Sequence, residues 1–261
     1  THNAICNAIP LTLGVTGTYN NNCATVQPGE VDAASGIISP SNTVWHSFVA
    51  PASGHVIVTT DFAGTQFDTE IAVYRANAAV CPGTIWGNLT EVGSNDDRIL
   101  VFDLDSEVDI ECLTPGMTYY VQVDGNSAGD YGQYEIRVSA TGPVQANNDL
   151  ICNAINLGTI GLNGTASNNN MNNLCAGISP GEPNFPGCVV GIDQTIWVTF
   201  TTGASLGYEF TISALNDPLS LGDPIDLQLG LYTSSNGTCT GSLTAVASDY
   251  TPLFFAEDLI V

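Results

Sequence analysis

Apolar residues recur at every second position over short stretches of the chain. In Glu70-Ile71-Ala72-Val73-Tyr74, Ile71 and Val73 face one way while Glu70, Ala72 and Tyr74 face the other. Such alternation is the pattern of a β-strand. VIVTTDF (56–62), TYYVQV (118–123) and YEIRV (134–138) read in the same way. Turn residues separate the runs: PASG (51–54), DGNSAGDYG (124–132) and SSNG (234–237). No stretch carries a convincing helical period. The pattern predicts an all-β chain with about eight strands per folding unit, built as antiparallel β-sandwiches with a jelly-roll-like path.

The pattern is written twice. NAICNAI (3–9) returns as DLICNAI (149–155), and the landmarks behind it return in order: TVWHSF (43–48) as TIWVTF (195–200), GHVIVTTDF (54–62) as GYEFTISAL (207–215), FDTEIAVY (67–74) as IDLQLGLY (225–232), and LTEVGSNDD (89–97) as LTAVASDY (243–250). Cys6, Cys23 and Cys81 match Cys152, Cys175 and Cys239. Tandem domains over 1–143 and 144–261 are expected, joined near TGPVQANN (141–148). The first copy runs on from its acidic strand through 113–141, whereas the second stops at AEDLIV (256–261). By this match the second sandwich is incomplete at its C-terminal end by about two strands, and the chain is expected to be a piece of a longer protein.

Composition narrows the function. The formal charge is −23, from 26 acidic residues against three arginines, with no lysine. Such a surface repels phosphate backbones and anionic lipids, so neither nucleic acid nor direct membrane insertion is expected, and no apolar run is long enough to span a bilayer. It attracts cations. The eight cysteines form no CxxC pair, and the three histidines lie far from most of them. Zinc is therefore not expected, and dispersed cysteines read as disulfides formed in an oxidising compartment.

Candidate chemistry is sparse. GASLG (203–207) has the GxSxG spacing of a nucleophile elbow, but the last histidine, His55, precedes it and a strand pattern follows Ser205. His46 reads as an ordinary strand position, replaced by Val198 in the second copy. No catalytic residue is expected. DLDSEVDIE (103–111) puts Asp103, Asp105, Glu107, Asp109 and Glu111 on one face of a strand; a solvent face that blocks edge pairing is the simpler reading. Asp68 and the triplet Asn95, Asp96 and Asp97 stand at strand ends or turns, where side-chain and backbone oxygens converge, and are the candidate calcium ligands. Asp226 and Asp249 hold the corresponding places in the second copy. Asn88, Asn163 and Asn236 carry the AsnXaaSer/Thr pattern and read as loop asparagines in a bacterial protein.

NAICNAIPL, VWHSFVAPASGHVIVTT, FDTEIAVY, SNDD, and LTPGMTYYVQVDG through YEIRV together resemble the bacterial pre-peptidase C-terminal (PPC-like) domain. The closest resemblance is to the cysteine-bearing version repeated in large secreted and surface proteins of Bacteroidetes. It covers the first copy and about two thirds of the second. It implies a β-sandwich, export to the cell surface or medium, and an accessory or adhesive role without catalysis; some relatives bind calcium and some bind polymers. Gly93 stands where many relatives have a cysteine, and Asp249-Tyr250 replaces the acidic pair. The expected function is a non-catalytic adhesion or spacer module of a long bacterial repeat protein. Its partners would be neighbouring repeats, with surface glycans or other extracellular polymers. A targeting appendage of a secreted hydrolase, or a carbohydrate- or collagen-binding module, is the alternative. The repeat predicts the pairs Cys6–Cys23, Cys152–Cys175 and Cys81–Cys112, the last with Cys112 on the inward face of the acidic strand. Cys239 is then expected to pair beyond Val261, or else with Cys188.

Overall fold

The computed structural model describes residues 3–31, 40–78, 86–98, 104–142, 145–168, 171–179, 181–183, 194–203, 211–214, 228–249 and 257–260. The chain divides into two compact units, Thr1–Val144 and Gln145–Val261, one residue from the expected boundary. Among the described residues no helix is long and apolar enough to cross a membrane.

Unit one is a two-layer β-sandwich. Its strands are β1 (Ile9–Pro10), β2 (Gly17–Asn20), β3 (Val44–Val49), β4 (His55–Thr59), β5 (Thr69–Ala76), β6 (Leu89–Asn95), β7 (Glu107–Ile110), β8 (Thr118–Gly125) and β9 (Gln133–Thr141). One sheet has the order β1-β3-β8-β5-β6 and the other β2-β9-β4-β7. Antiparallel pairs nest inside one another: β2 with β9, β3 with β8, β4 with β7, β5 with β6. This is the course of one long hairpin rolled up, which is the jelly-roll path. β1 adds a parallel edge to β3.

The alternation explains the layers. Ile71, Val73, Val121 and Val123 from one sheet meet Val56, Val58, Ile136, Val138, Val108 and Ile110 from the other, all at most 5 % exposed. Gly93 faces this core: a Cβ there would stand 2.9 Å from Val108 Cγ1, so a cysteine would overpack it. His46 also points inward, with Nε2 2.7 Å from the Tyr134 hydroxyl. The other face of the five-stranded sheet is covered as well. Ile5, from the 3-10 turn Ile5–Asn7, packs with Trp45, Ala72 and Tyr74, alongside Ala76, Trp86 and Leu89.

A carboxylate pins the covering segment. Gln27-Pro28-Gly29-Glu30 makes a turn in which Glu30 N donates to Gln27 O. Gly29 takes φ +78°, the left-handed value that favours glycine in this position after a proline. The Glu30 carboxylate accepts from Gln27 N at 2.6 Å and from Trp45 Nε1 at 2.7 Å.

Unit two contributes β10 (Ile155–Ile160), β11 (Val198–Thr202), β12 (Thr211–Ala214), β13 (Leu229–Ser234), β14 (Leu243–Asp249) and β15 (Glu257–Ile260). β10 runs parallel to β11, β12 pairs antiparallel with β15, and β13 pairs antiparallel with β14. Ile155 stands opposite Val198 as Ile9 stands opposite His46. A register shift between Leu231 and Tyr232 matches the one between Val73 and Tyr74. The carboxylate turn recurs too: Glu182 accepts from Ser179 N at 2.7 Å and from Trp197 Nε1 at 3.2 Å.

The cysteines depart from the expected pairing. Cys152 is bonded to Cys239, with Cα atoms 4.9 Å apart. Cys152–Cys175 is therefore not formed, and Cys239 has its partner within the chain. Cys175 is disulfide-bonded elsewhere. Cys23 carries a free, exposed thiol, so Cys6–Cys23 is not formed either, although Cys6 is in a disulfide. The reason lies in packing. In unit one the opening 3-10 turn lies against β3 and β5, with Ile5 in one cluster with Trp45, Ala72 and Tyr74. In unit two the turn Ile151–Asn153 carries Cys152, and the connection between β13 and β14 carries Cys239. Cys152 thus meets a cysteine 87 residues away and not the nearer Cys175. Cys112 is disulfide-bonded but exposed: β7 ends at Ile110, the backbone turns through φ +60° at Cys112, and Leu113 takes the inward place. Cys81 and Cys188 lie outside the described residues.

Candidate metal centre

Three neighbouring strands of the larger sheet of unit one meet at one of its ends: β5 begins where β8 and the edge strand β6 finish. Within the ladders, Ile71 of β5 stands opposite Asn95 of β6, and Glu70 opposite Asp124 of β8. The chain just before β5 carries Asp68, and the chain just after β6 carries Asp96 and Asp97. The oxygens of these three aspartates lie within 4.8 Å of one another. Period two puts Asp68 and Glu70 on the same face of the β5 segment.

A polar network fixes the loops. Thr60 and Thr69 share a hydrogen bond of 2.6 Å, Ser106 N donates to Thr60 Oγ1 at 3.0 Å, and Ser106 Oγ donates to Thr69 O. The Ser106 hydroxyl also stands 2.7 Å from Asp96 O, which ties the aspartate loop to the start of β7. Asn95 serves that loop: its Oδ1 accepts from Glu107 N at 3.0 Å and its Nδ2 donates to Asp97 O at 3.1 Å. Asp124 is satisfied by protein donors, accepting from Ser41 N at 2.5 Å and from Asn42 N and Gly125 N at 2.8 Å.

Other carboxylates are not satisfied. Asp68 accepts from Asn126 Nδ2 through Oδ2, but its buried Oδ1 has no protein partner, and neither do Glu70 Oε1, Asp96 Oδ1 and Asp97 Oδ1. Arg98, next in sequence, directs its guanidinium to Asp61 at 2.5 Å and Glu107 at 3.5 Å. Burial, then the charge of Asp96 and those of Asp124, Asp68 and Asp97, pushes the Glu70 carboxyl up to about 8. Burial, then Asp97 and Asp68, pushes Asp96 up to about 6. Burial raises Asp68 as well, with Asn126 opposing.

Clustered carboxylates with buried, orphaned oxygens are costly unless a positive charge joins them. The donors are all oxygen, which suits a hard cation; oxygens spanning 4.8 Å fit one calcium ion with bonds of about 2.3–2.6 Å. Asp68, Asp96 and Asp97 thus come together as the sequence suggests, while Asn95 is a loop staple beside them. Glu70 and the Thr60-Thr69-Ser106 network were not singled out by sequence; the only signal was the spacing of two between Asp68 and Glu70.

The remaining candidates disperse. From 105 to 111 the acidic segment keeps its alternation, with Ser106, Val108 and Ile110 buried, while Leu104, which the alternation would turn inward, is exposed. Its outward carboxylates are paired: Asp109 lies 2.5 Å from His55 Nε2, and Glu111 lies 3.8 Å from Nδ1. Asp103, Ser205 and Asp226 lie outside the described residues. Asp249 ends β14 opposite Leu229, as Asn95 ends β6 opposite Ile71. Asn236 accepts from Thr238 N at 2.9 Å in the connection between β13 and β14, the local role of a turn asparagine. No protein-family model matches the chain, and no curated protein matches it either.

Proposed function

We propose that the chain is a non-catalytic adhesion or spacer segment of an exported bacterial repeat protein, with unit one consolidated by calcium. The observation that carries this reading is the group of buried carboxylate oxygens on Asp68, Asp96 and Asp97 that have no protein partner. The ion would join the loops before β5 and after β6, a cross-brace that serves rigidity and performs no reaction. The disulfides fit an oxidising, extracellular setting. The acidic surface fits a partner that is neutral or cationic, such as a glycan or a neighbouring repeat.

Calcium that binds only the folded state stabilises it by about 2.7 kcal/mol at a hundredfold excess over Kd. For a domain of this size, the unit-one melting transition is expected to rise by about 5–10 °C between chelator and millimolar calcium. Identical melts in calorimetry would remove calcium from the reading. Antibody labelling of intact source cells tests export: signal only after permeabilisation would overturn it.

A further inference from the structure

Resting on the reading of an exported repeat protein, we propose that Cys23 is a covalent docking point, which joins a cysteine of a neighbouring repeat in a disulfide. Two copies of one turn point to it. In Asn20-Asn21-Asn22-Cys23-Ala24, Asn22 N donates to Asn20 Oδ1 at 2.7 Å and Ala24 N to Asn21 O at 3.0 Å. In Asn172-Asn173-Leu174-Cys175-Ala176, Leu174 N donates to Asn172 Oδ1 at 3.1 Å and Ala176 N to Asn173 O at 3.0 Å. The cysteine takes φ +62° in the first and +59° in the second, and the alanine after it is buried in both. Each turn is tied to the chain just before the opening 3-10 turn of its unit. Asn3 Nδ2 donates to Thr25 Oγ1 at 2.9 Å, and Asp149 Oδ1 accepts from Gly177 N at 2.8 Å. One fixed backbone thus presents a cysteine twice.

The two copies differ in what the sulfur holds. Cys175 is disulfide-bonded, whereas the Cys23 thiol is exposed and free. Cys6, Cys112, Cys152 and Cys239 are bonded too, so among the described cysteines Cys23 alone is not. The bonded copy identifies what the free one takes, a second protein thiol, and shows that the turn carries a disulfide in the backbone conformation Cys23 already has. A left-handed position favours glycine or asparagine, so the turn itself does not call for cysteine. A second copy of the chain is the poorer partner: each carries a formal charge of −23, and free copies repel. A repeat tethered in the same polypeptide meets Cys23 at about millimolar effective concentration. The bond forms by exchange with a disulfide donor, an oxidoreductase or a small-molecule disulfide. The Cys23 thiolate attacks one donor sulfur and the other leaves as a thiolate. The neighbour's thiolate then attacks the Cys23 sulfur and expels the donor. Two protein thiols are oxidised, and the donor is reduced to two thiols, which take up the two protons.

The test is non-reducing peptide mapping of the natural protein, alkylated as it is taken from source cells. Cys23 is expected in a disulfide-linked peptide whose other half lies outside residues 1–261. An alkylated Cys23 would overturn the proposal, and so would a glutathione adduct, a Cys23–Cys23 link or a bond to a cysteine within these residues. Cys152–Cys239 in the same digest keeps the two readings apart. Intact beside an alkylated Cys23, it leaves the exported setting standing; alkylated as well, it removes that setting too. The isolated chain gives a second measurement, with an aromatic disulfide reagent as the probe. In the native chain Cys23 is expected to be labelled within about tenfold of its rate in denaturant, as an exposed thiol is. Cys23→Ser should abolish that label. A Cys23 that reacts only once the chain is unfolded is no docking point.

Discussion

The two units share their turns but not their burial. Trp45, bonded to Glu30, is fully buried, whereas Trp197, bonded to the corresponding Glu182, is half-buried. His46 is enclosed and its counterpart Val198 is 37 % exposed. In unit one, β8 lies between β3 and β5 and hydrogen-bonds to both. Among the described residues of unit two, no strand joins β11 to β13. Even so, the 3-10 turn, the Pro-Gly-Glu turn, the register shift in the hairpin and the parallel edge pair all form there. The turns and the hairpin's register shift are therefore local and the edge pair needs only two strands, while burial depends on further partners from elsewhere in the sequence. The difference separates what a short sequence can do alone from what the completed sheet adds.

The disulfide is the strongest lever on this comparison. Cys152 and Cys239 are 87 residues apart, and closing such a loop stabilises by about 4–5 kcal/mol in the chain-entropy model. Cys239→Ser is expected to abolish or sharply lower the unit-two transition in calorimetry and leave that of unit one in place. A shift of both together would show the units are not independent. The same opening turn in unit one carries Cys6, and the repeat matches Cys81 with Cys239. Non-reducing peptide mapping is expected to link Cys6 to Cys81. A Cys81–Cys112 peptide would restore the original pairing.

Next in size is the acidity of unit one. Glu70 rises from 4.5 to about 8 and Asp96 from 3.8 to about 6, so the folded state holds these protons more tightly than the unfolded chain. Their favourable contribution is complete below about pH 4 and is lost as pH climbs through 6 and 8. In chelator, the unit-one melting temperature is expected to fall between pH 4.5 and 8. Millimolar calcium should flatten that slope. A chelated protein that becomes more stable over this range would contradict the raised Glu70 and Asp96 carboxyls.

The smallest effect compares the two carboxylate turns. Glu30→Ala leaves the Trp45 and Gln27 donors unsatisfied in a covered site and is expected to cost about 1–3 kcal/mol. Glu182→Ala, beside a half-buried Trp197 that water can reach, is expected to cost about 0.5–1 kcal/mol. Denaturant titration of each variant checks the ranking. Equal losses would mean that burial adds nothing to the turn.

These contrasts explain what the sequence allowed one to read. Alternation in Glu70–Tyr74 put Ile71 and Val73 on one side and Glu70 on the other, and they are there. Alternation says nothing of whether the second side is covered. The segment around Ile5 and Glu30 folds over that side, and the Glu70 carboxylate is buried there. Asp68, Asp96 and Asp97 were legible because aspartates at strand ends are brought together by simple hairpin geometry. The partners of Cys6 and Cys152 were not, because they depend on a turn crossing the outside of a sheet. The inward placement of Cys112 failed for a local reason: its own backbone, in the left-handed region, ends the alternation that placed it.

The long disulfide loop also limits how far the chain can lengthen under tension. A force applied at the two ends of unit two cannot extend residues enclosed between Cys152 and Cys239. At about 3.4 Å per extended residue, those 87 positions withhold roughly 300 Å of contour length. A string of such units would give way in short steps while keeping each sandwich near its folded size, and would release the remainder only where the bond is reduced.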